Sequence, residues 1–153
     1  MTQLVSQSTL IAKAVICPVC NKATIVVEYN NIELDYCVNC YGVWFDSDEL
    51  ELFLKSINLD TPDLLLSHIL ESAEVETKEK KRRCPICRRK MKKTAIGDRP
   101  RITIDACIRK DGLWFDGGEV LQLVKELARK KPRGKEAEHR VLSFLGQAFQ
   151  ARD

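Results

Sequence analysis

The chain has 153 residues, 44% hydrophobic, 31% charged and only 7% aromatic, with a formal net charge of +3. That length suits one average domain or two to three small ones, and no apolar run reaches the length that spans a membrane. Seven cysteines is a high and odd number, which fits a disulfide framework poorly and favours metal ligation.

The first residues, MTQLVSQSTLIAKAV, lack a cationic start, and Gln3, Ser6, Gln7, Ser8 and Lys13 break their apolar run. No signal peptide is expected, and a cytoplasmic location is. An irregular lead-in should end in a short strand over 12–16. Cys17-Pro18-Val19-Cys20 is a knuckle, and the β-branched run 24–29 (TIVVEY) reads as a strand. Asn30-Asn31 is a tight turn, since Asn tolerates positive φ. Residues 32–36 (IELDY) alternate apolar and acidic, as a half-exposed returning strand does, and deliver the second knuckle, Cys37-Val38-Asn39-Cys40.

Gly42 is expected to take a left-handed turn. Asp46 with Glu49 three residues on resembles a capping box, with Asp46 as N-cap. The helix that follows carries Leu50, Phe53, Leu54 and Ile57 on one face. A second helix should start at Thr61-Pro62-Asp63, carry Leu65, Leu66, Ile69, Leu70 and Ala73, and dissolve into a charged linker over 74–83.

The pattern then recurs. Cys84-Pro85-Ile86-Cys87 repeats the first knuckle, 102–107 (ITIDAC) repeats 32–37, and Gly112-Leu113-Trp114-Phe115-Asp116 repeats Gly42–Asp46. Gly97-Asp98-Arg99-Pro100-Arg101 replaces the Asn pair at the hairpin tip. Asp116 and Glu119 repeat the capping signature, and Val120, Leu123, Val124 and Leu127 repeat the helix face. The chain reads as a tandem duplication. A basic linker over 128–135 and a last helix over 136–150 follow. That helix aligns Ala137, Val141, Phe144, Leu145, Ala148 and Phe149 in one stripe.

Two Cys-x-x-Cys pairs separated by sixteen residues, Cys17/Cys20 and Cys37/Cys40, have the spacing of a tetrahedral four-sulfur zinc site. A hairpin of about thirty residues needs such a staple, because it cannot bury enough apolar area to offset chain entropy. Redox chemistry is a competing reading of Cys-Pro-x-Cys, but that motif should follow a strand and open a helix, and one active site leaves the second pair unexplained. In the second half Cys84, Cys87 and Cys107 stand in ligand positions, with Lys110 in the fourth. A protonated Lys has no lone pair to give. Asp111, Asp105 or His139 are candidates to complete the sphere. The other options are a zinc with an open position, or a module that has lost its metal; a weak or empty site is expected rather than a catalytic one. His68 is read as part of the helix surface.

With its CPxC knuckle, hairpin and C-x-x-C-x-G-x-W-F-D-x-x-E-L segment, the sequence resembles the transcription factor IIB-type zinc ribbon family. Residues 17–54 match throughout and 84–124 match except at Lys110. The resemblance implies zinc held by Cys17, Cys20, Cys37 and Cys40, and by position Cys84, Cys87 and Cys107. The expected fold class is α+β: two zinc-ribbon β-hairpin modules, each followed by a helix, plus a linker helix and a C-terminal helix. The expected divisions are 1–58, 59–80, 81–131 and 132–153. Trp44 and Trp114 are expected to cover the knuckles, with an exposed recognition surface as the alternative.

Charge supplies the functional lead. Residues 1–77 carry 3 basic against 12 acidic residues, and 78–153 carry 22 against 10. The basic runs hold Lys80, Lys81, Arg82, Arg83, Arg88, Arg89, Lys90, Lys92, Lys93, Arg99 and Arg101. Gathered on one face they form a phosphate-binding patch for DNA or RNA. Few aromatics are interleaved, so binding is expected to follow the backbone rather than stack bases. The leading expectation is a non-enzymatic nucleic-acid-binding or transcription-associated zinc protein. The alternative is a protein–protein adaptor with purely structural zinc, reached through the acidic half and the C-terminal helix.

Overall fold

The computed structural model describes residues 14–29, 31–59, 66–96, 101–129, 135–136, 138–140 and 143. Its centre is a six-stranded antiparallel sheet in the order β1-β2-β3-β6-β5-β4. β1 (Ile25–Tyr29) and β2 (Ile32–Tyr36) form the first hairpin, with Tyr29 opposite Ile32. Asn31 closes the turn at φ 64, the left-handed conformation expected of it; Asn30 lies outside the described residues. β3 (Val43–Asp46) leads into α1 (Glu49–Ser56). α2 is Leu66–Glu71. β4 (Lys92–Ile96), β5 (Ile102–Ala106), β6 (Gly112–Phe115) and α3 (Glu119–Arg129) repeat the order hairpin, third strand, helix.

The two halves do not sit on separate sheets. β3 pairs with β6, placing Trp44 opposite Trp114, so the strand order reads the same outward in both directions. Period-2 alternation gives this sheet two buried faces. Ile32, Leu34, Tyr36, Val43 and Phe45 face one side with Ile102, Ile104, Leu113 and Phe115, and there they meet the apolar stripes of α1 and α3. Phe45 meets the Phe115 ring edge-on, centroids 5.3 Å apart. Trp44 and Trp114, both 0% exposed, face the other side and pack with Cys17, Cys37, Cys84 and Cys107. The tryptophans therefore cover the cysteine clusters and offer no exposed aromatic surface.

The helix faces read from periodicity are buried: Leu50, Phe53, Leu54 and Ile57 in the first, Val120, Leu123, Val124 and Leu127 in the second. α1 ends on a Schellman motif, with Leu59 N–H on the Leu54 carbonyl (2.8 Å) and Asn58 N–H on Lys55 (3.1 Å). Asn58 is left-handed at φ 60.

Three local expectations change. Asp46 does not cap α1, which starts three residues later. Its carboxylate sits two residues along the same strand face from Trp44 and accepts the indole N–H at 2.7 Å. Only the returning half of the capping box forms, Asp46 N–H donating to Glu49 Oε1 at 2.9 Å, and Asp116–Glu119 repeats it at 2.7 Å. Gly42 is not the left-handed residue; Tyr41 is, at φ 69. Gly42 is required by crowding instead, since a Cβ there would lie 2.1 Å from Cζ2 of Trp114.

The 74–83 run is not a free linker. The helix stops at Glu71, leaving Ala73 exposed, and the chain is strapped across the edge of the sheet. Val75 N–H donates to the Lys93 carbonyl (2.9 Å), Lys92 Nζ to the Leu70 (2.8 Å) and Ser72 carbonyls, and Arg82 pairs with Asp116. Lys93 and Asp105 form a buried ion pair at 2.9 Å, with Glu79 on its outer side at 3.6 Å. Leu65 and the Thr61-Pro62-Asp63 start lie outside the described residues. So do residues 12 and 13 and, in the C-terminal stripe, Ala137, Val141, Phe144, Leu145, Ala148 and Phe149. Of the strand expected over 12–16, the described residues 14–16 form only an isolated bridge, Ile16 with Ala23. The described residues from 135 to 143 are helical.

Candidate metal centres and a basic cleft

Each knuckle is a turn whose amides point back at its first sulfur. Val19 and Cys20 N–H approach Cys17 Sγ at 3.3 and 3.2 Å, and the following Asn21 turns left-handed at φ 59. Asn39 Nδ2 donates to Cys20 Sγ at 3.1 Å. The antiparallel β1–β2 hairpin brings Cys37 and Cys40 to this knuckle, and the four sulfurs lie within 4.8 Å of one another. All seven cysteines are unbridged.

The fit to zinc is geometric. With Zn–S bonds of about 2.3 Å, the edge of an S4 tetrahedron is about 3.8 Å. Cys17 and Cys40 sulfurs stand 3.7 Å apart. Burial pushes the Cys40 thiol above its ordinary value, the cost of crowding sulfurs where no cation offsets their charge. A divalent ion removes that cost, and structural zinc contributes fold stability in return.

In the second half the same hairpin brings Cys84, Cys87 and Cys107 together, and the fourth group within 4.8 Å is Asp111. Ile86 N–H approaches Cys84 Sγ at 3.3 Å and Arg109 N–H approaches Cys107 Sγ at 3.3 Å, the same amide pattern. Burial pushes Cys84 up to about 12. Of the other candidates, Asp105 is taken up by Lys93, and His139 is exposed on the helical stretch after 135, away from both clusters. Lys110 is exposed. His68 is exposed on α2.

The basic residues part company. Arg82, Lys92 and Lys93, expected on a binding surface, are spent inside the fold on Asp116, the α2 carbonyls and Asp105. Lys93 is 2% exposed. Arg83, Arg88, Arg89 and Arg101 are exposed, and Arg99 lies outside the described residues. Six basic residues line a cleft of about 690 Å³ between the two Cys-Pro knuckles. One wall is Ile16, Pro18, Val19 and Asn21. The other is Lys80 to Arg83 with Arg88 and Lys90. Charge runs alone point to the basic wall. The apolar wall comes from the other half of the chain and carries no signal of that kind.

The acidic groups beside the tryptophans have a pH signature. Burial pushes the Glu49 and Glu119 carboxyls up to about 7, outweighing the hydrogen bonds each accepts from Asp46 and Asp116 N–H. Burial, with Asp46 and Glu33 nearby, takes Asp35 to about 6. A folded-state value above the unfolded one means stability that is complete below the ordinary carboxylate range and lost as pH rises through 7. Glu49→Gln keeps the acceptor oxygen and discards the charge. Its thermal midpoint relative to wild type is expected to rise from pH 6 to pH 8, read by thermal unfolding of the zinc-loaded protein. A difference that stays flat across that window contradicts the assignment.

Residues 16–56 match the model of the transcription factor zinc-finger family, the TFIIB-type zinc ribbon, which spans both knuckles of the first cluster and α1. No curated protein and no solved structure matches the chain. The matched segment holds all four cysteines of the first cluster, and Zn²⁺ is the cofactor of Cys17, Cys20, Cys37 and Cys40.

Proposed function

We propose that this is a non-enzymatic, tandem zinc-ribbon protein that binds the phosphate backbone of nucleic acid, in a transcription-associated role, through the cleft between its Cys-Pro knuckles. The observation that carries the reading is the cleft lining: Lys80, Lys81, Arg82, Arg83, Arg88 and Lys90, with no carboxylate among the described residues that line it. Arg82 is paired with Asp116 and Lys81 with Glu74; the other four cations, converging on one concavity, raise local anion affinity without reading base edges. Both tryptophans are buried and offer no face to a base, so the binding is expected to follow the backbone and to be weakly sequence-specific. Zinc acts by holding the knuckles that form the cleft walls.

Binding of random-sequence duplex DNA, followed by fluorescence anisotropy, is the test. Four to six phosphate contacts predict an affinity loss of about 10²- to 10³-fold between 50 and 200 mM salt. Arg88→Glu with Lys90→Glu is expected to weaken binding uniformly across sequences and to flatten the salt slope by about 1 per lost contact. If neither duplex nor single-stranded probes bind at low salt, the reading fails and the adaptor alternative takes its place.

A further inference from the structure

We infer that Cys84, Cys87, Cys107 and Asp111 form a second zinc site, with three thiolates and one carboxylate as ligands. The family match stops at residue 56, and the sequence position equivalent to Cys40 holds Lys110, so the site rests on its geometry. Cys87 and Cys107 sulfurs are 3.7 Å apart, the separation seen between Cys17 and Cys40 in the first site. Asp111 Oδ2 lies 3.4 Å from Cys107 Sγ and 3.6 Å from Cys84 Sγ. For Zn–S of about 2.3 Å and Zn–O of about 2.1 Å, the S···O edge of a tetrahedron is about 3.6 Å. The carboxylate stands where the fourth vertex belongs.

The backbone explains how a residue one position late reaches the metal. In the first site the turn closes from Tyr41 N–H to the Cys37 carbonyl (2.8 Å), four residues back, and Tyr41 is the left-handed residue. In the second the turn closes from Lys110 N–H to the Cys107 carbonyl (3.0 Å), only three residues back, and Lys110 itself is left-handed at φ 65. The left-handed kink has moved one residue toward the N-terminus. The loop length is conserved, because Cys37 N–H bonds the Gly42 carbonyl and Cys107 N–H bonds the Gly112 carbonyl, both at 3.0 Å. The shift turns Lys110 out to solvent and brings Asp111 in. A lysine held at positive φ is unfavourable, and a fourth ligand is what offsets it.

Four ligands from the chain leave no open position, so the site is structural rather than catalytic. A carboxylate is a harder ligand than thiolate, so this zinc leaves before the one in the four-cysteine site. The knuckle it holds carries Arg83, Arg88 and Lys90, yet the inference does not depend on nucleic-acid binding.

Zinc content of the full chain with chelator competition, and visible spectra of the Co²⁺ form, test it. Wild type is expected to hold two zinc ions per chain and to release them in two steps. Asp111→Ala should weaken the looser ion at least about tenfold and leave the tighter one unchanged. Lys110→Ala should change neither. Asp111→Cys should tighten the looser ion and raise the Co²⁺–thiolate charge-transfer intensity from that of seven sulfurs to that of eight. One zinc per chain in wild type overturns the inference, as does a second ion indifferent to Asp111→Ala or lost with Lys110→Ala. Because Asp111→Cys retains the metal, a folding failure in the Ala variant does not mask the result.

Discussion

Cys37→Ser, or extraction of zinc from the four-cysteine site, is expected to unfold the protein cooperatively. Cys37 is 1% exposed and packs in one cluster with Cys17, Val15 and Trp44. Structural zinc in small fingers contributes on the order of 10–16 kcal/mol, while a domain of this size has a net stability of about 5–15 kcal/mol. The metal term is as large as the whole margin. Loss of the site also leaves buried thiols crowded around a void and removes the anchor of β3, the strand through which the halves pair. Near-UV circular dichroism of the two tryptophans and a thermal melt, with and without a strong chelator, check it. An unchanged melting temperature after complete zinc removal would contradict the staple argument.

Gly112→Ala is the second large effect, and Gly42→Ala its counterpart. A Cβ on Gly112 would lie 2.2 Å from the Phe45 carbonyl oxygen and 2.6 Å from Cζ2 of Trp44; one on Gly42 would lie 2.1 Å from Cζ2 of Trp114. Each glycine makes room for the tryptophan of the opposite half. Neither indole has space to retreat, because both are fully buried and each is tied by its N–H to Asp46 or Asp116. Overpacking costs about 1–3 kcal/mol where side chains can shift, occasionally more. Here a backbone carbonyl is among the obstacles, so Gly112→Ala is expected to cost about 3 kcal/mol or more, and Gly42→Ala somewhat less. Denaturant unfolding measures both. Gly42→Ala combined with Trp114→Leu should recover part of the loss, a coupling of about 0.5–3 kcal/mol across the halves. Strict additivity would mean that the two halves do not lock through these residues. Gly118→Ala is the control for backbone strain alone, since Gly118 has φ +87 and open space around its Cβ direction.

Local features were readable where local chemistry decides them. The hairpin register follows from the alternation in IELDY, and the helix stripes follow from 3.6-residue periodicity. Asp46 reads as an N-cap and is not one, for a reason of proximity. On a strand, residues two apart share a face, and the Trp44 indole N–H reaches that carboxylate before any helix amide does. Lys92 and Lys93 read as surface charges because a run of lysines and arginines is usually solvated. Their fate depends on Asp105 across the ladder and on the strap from 72 to 82.

By itself the sequence determined the four-cysteine site, the two hairpins, the helix faces and the charge division between halves, because each depends on residues close in the chain or on ligand spacing that zinc chemistry makes specific. The tertiary structure alone decided three things. The halves share one sheet through β3 and β6, so that Gly42 and Gly112 are sterically obligatory. Asp111, not Lys110, faces the second cysteine cluster, because one left-handed residue shifts the turn. The basic wall meets an apolar wall from the other half to make a cleft. In each case the physical reason is the same: the partners lie far apart in sequence, or their direction depends on a backbone dihedral that residue type leaves open.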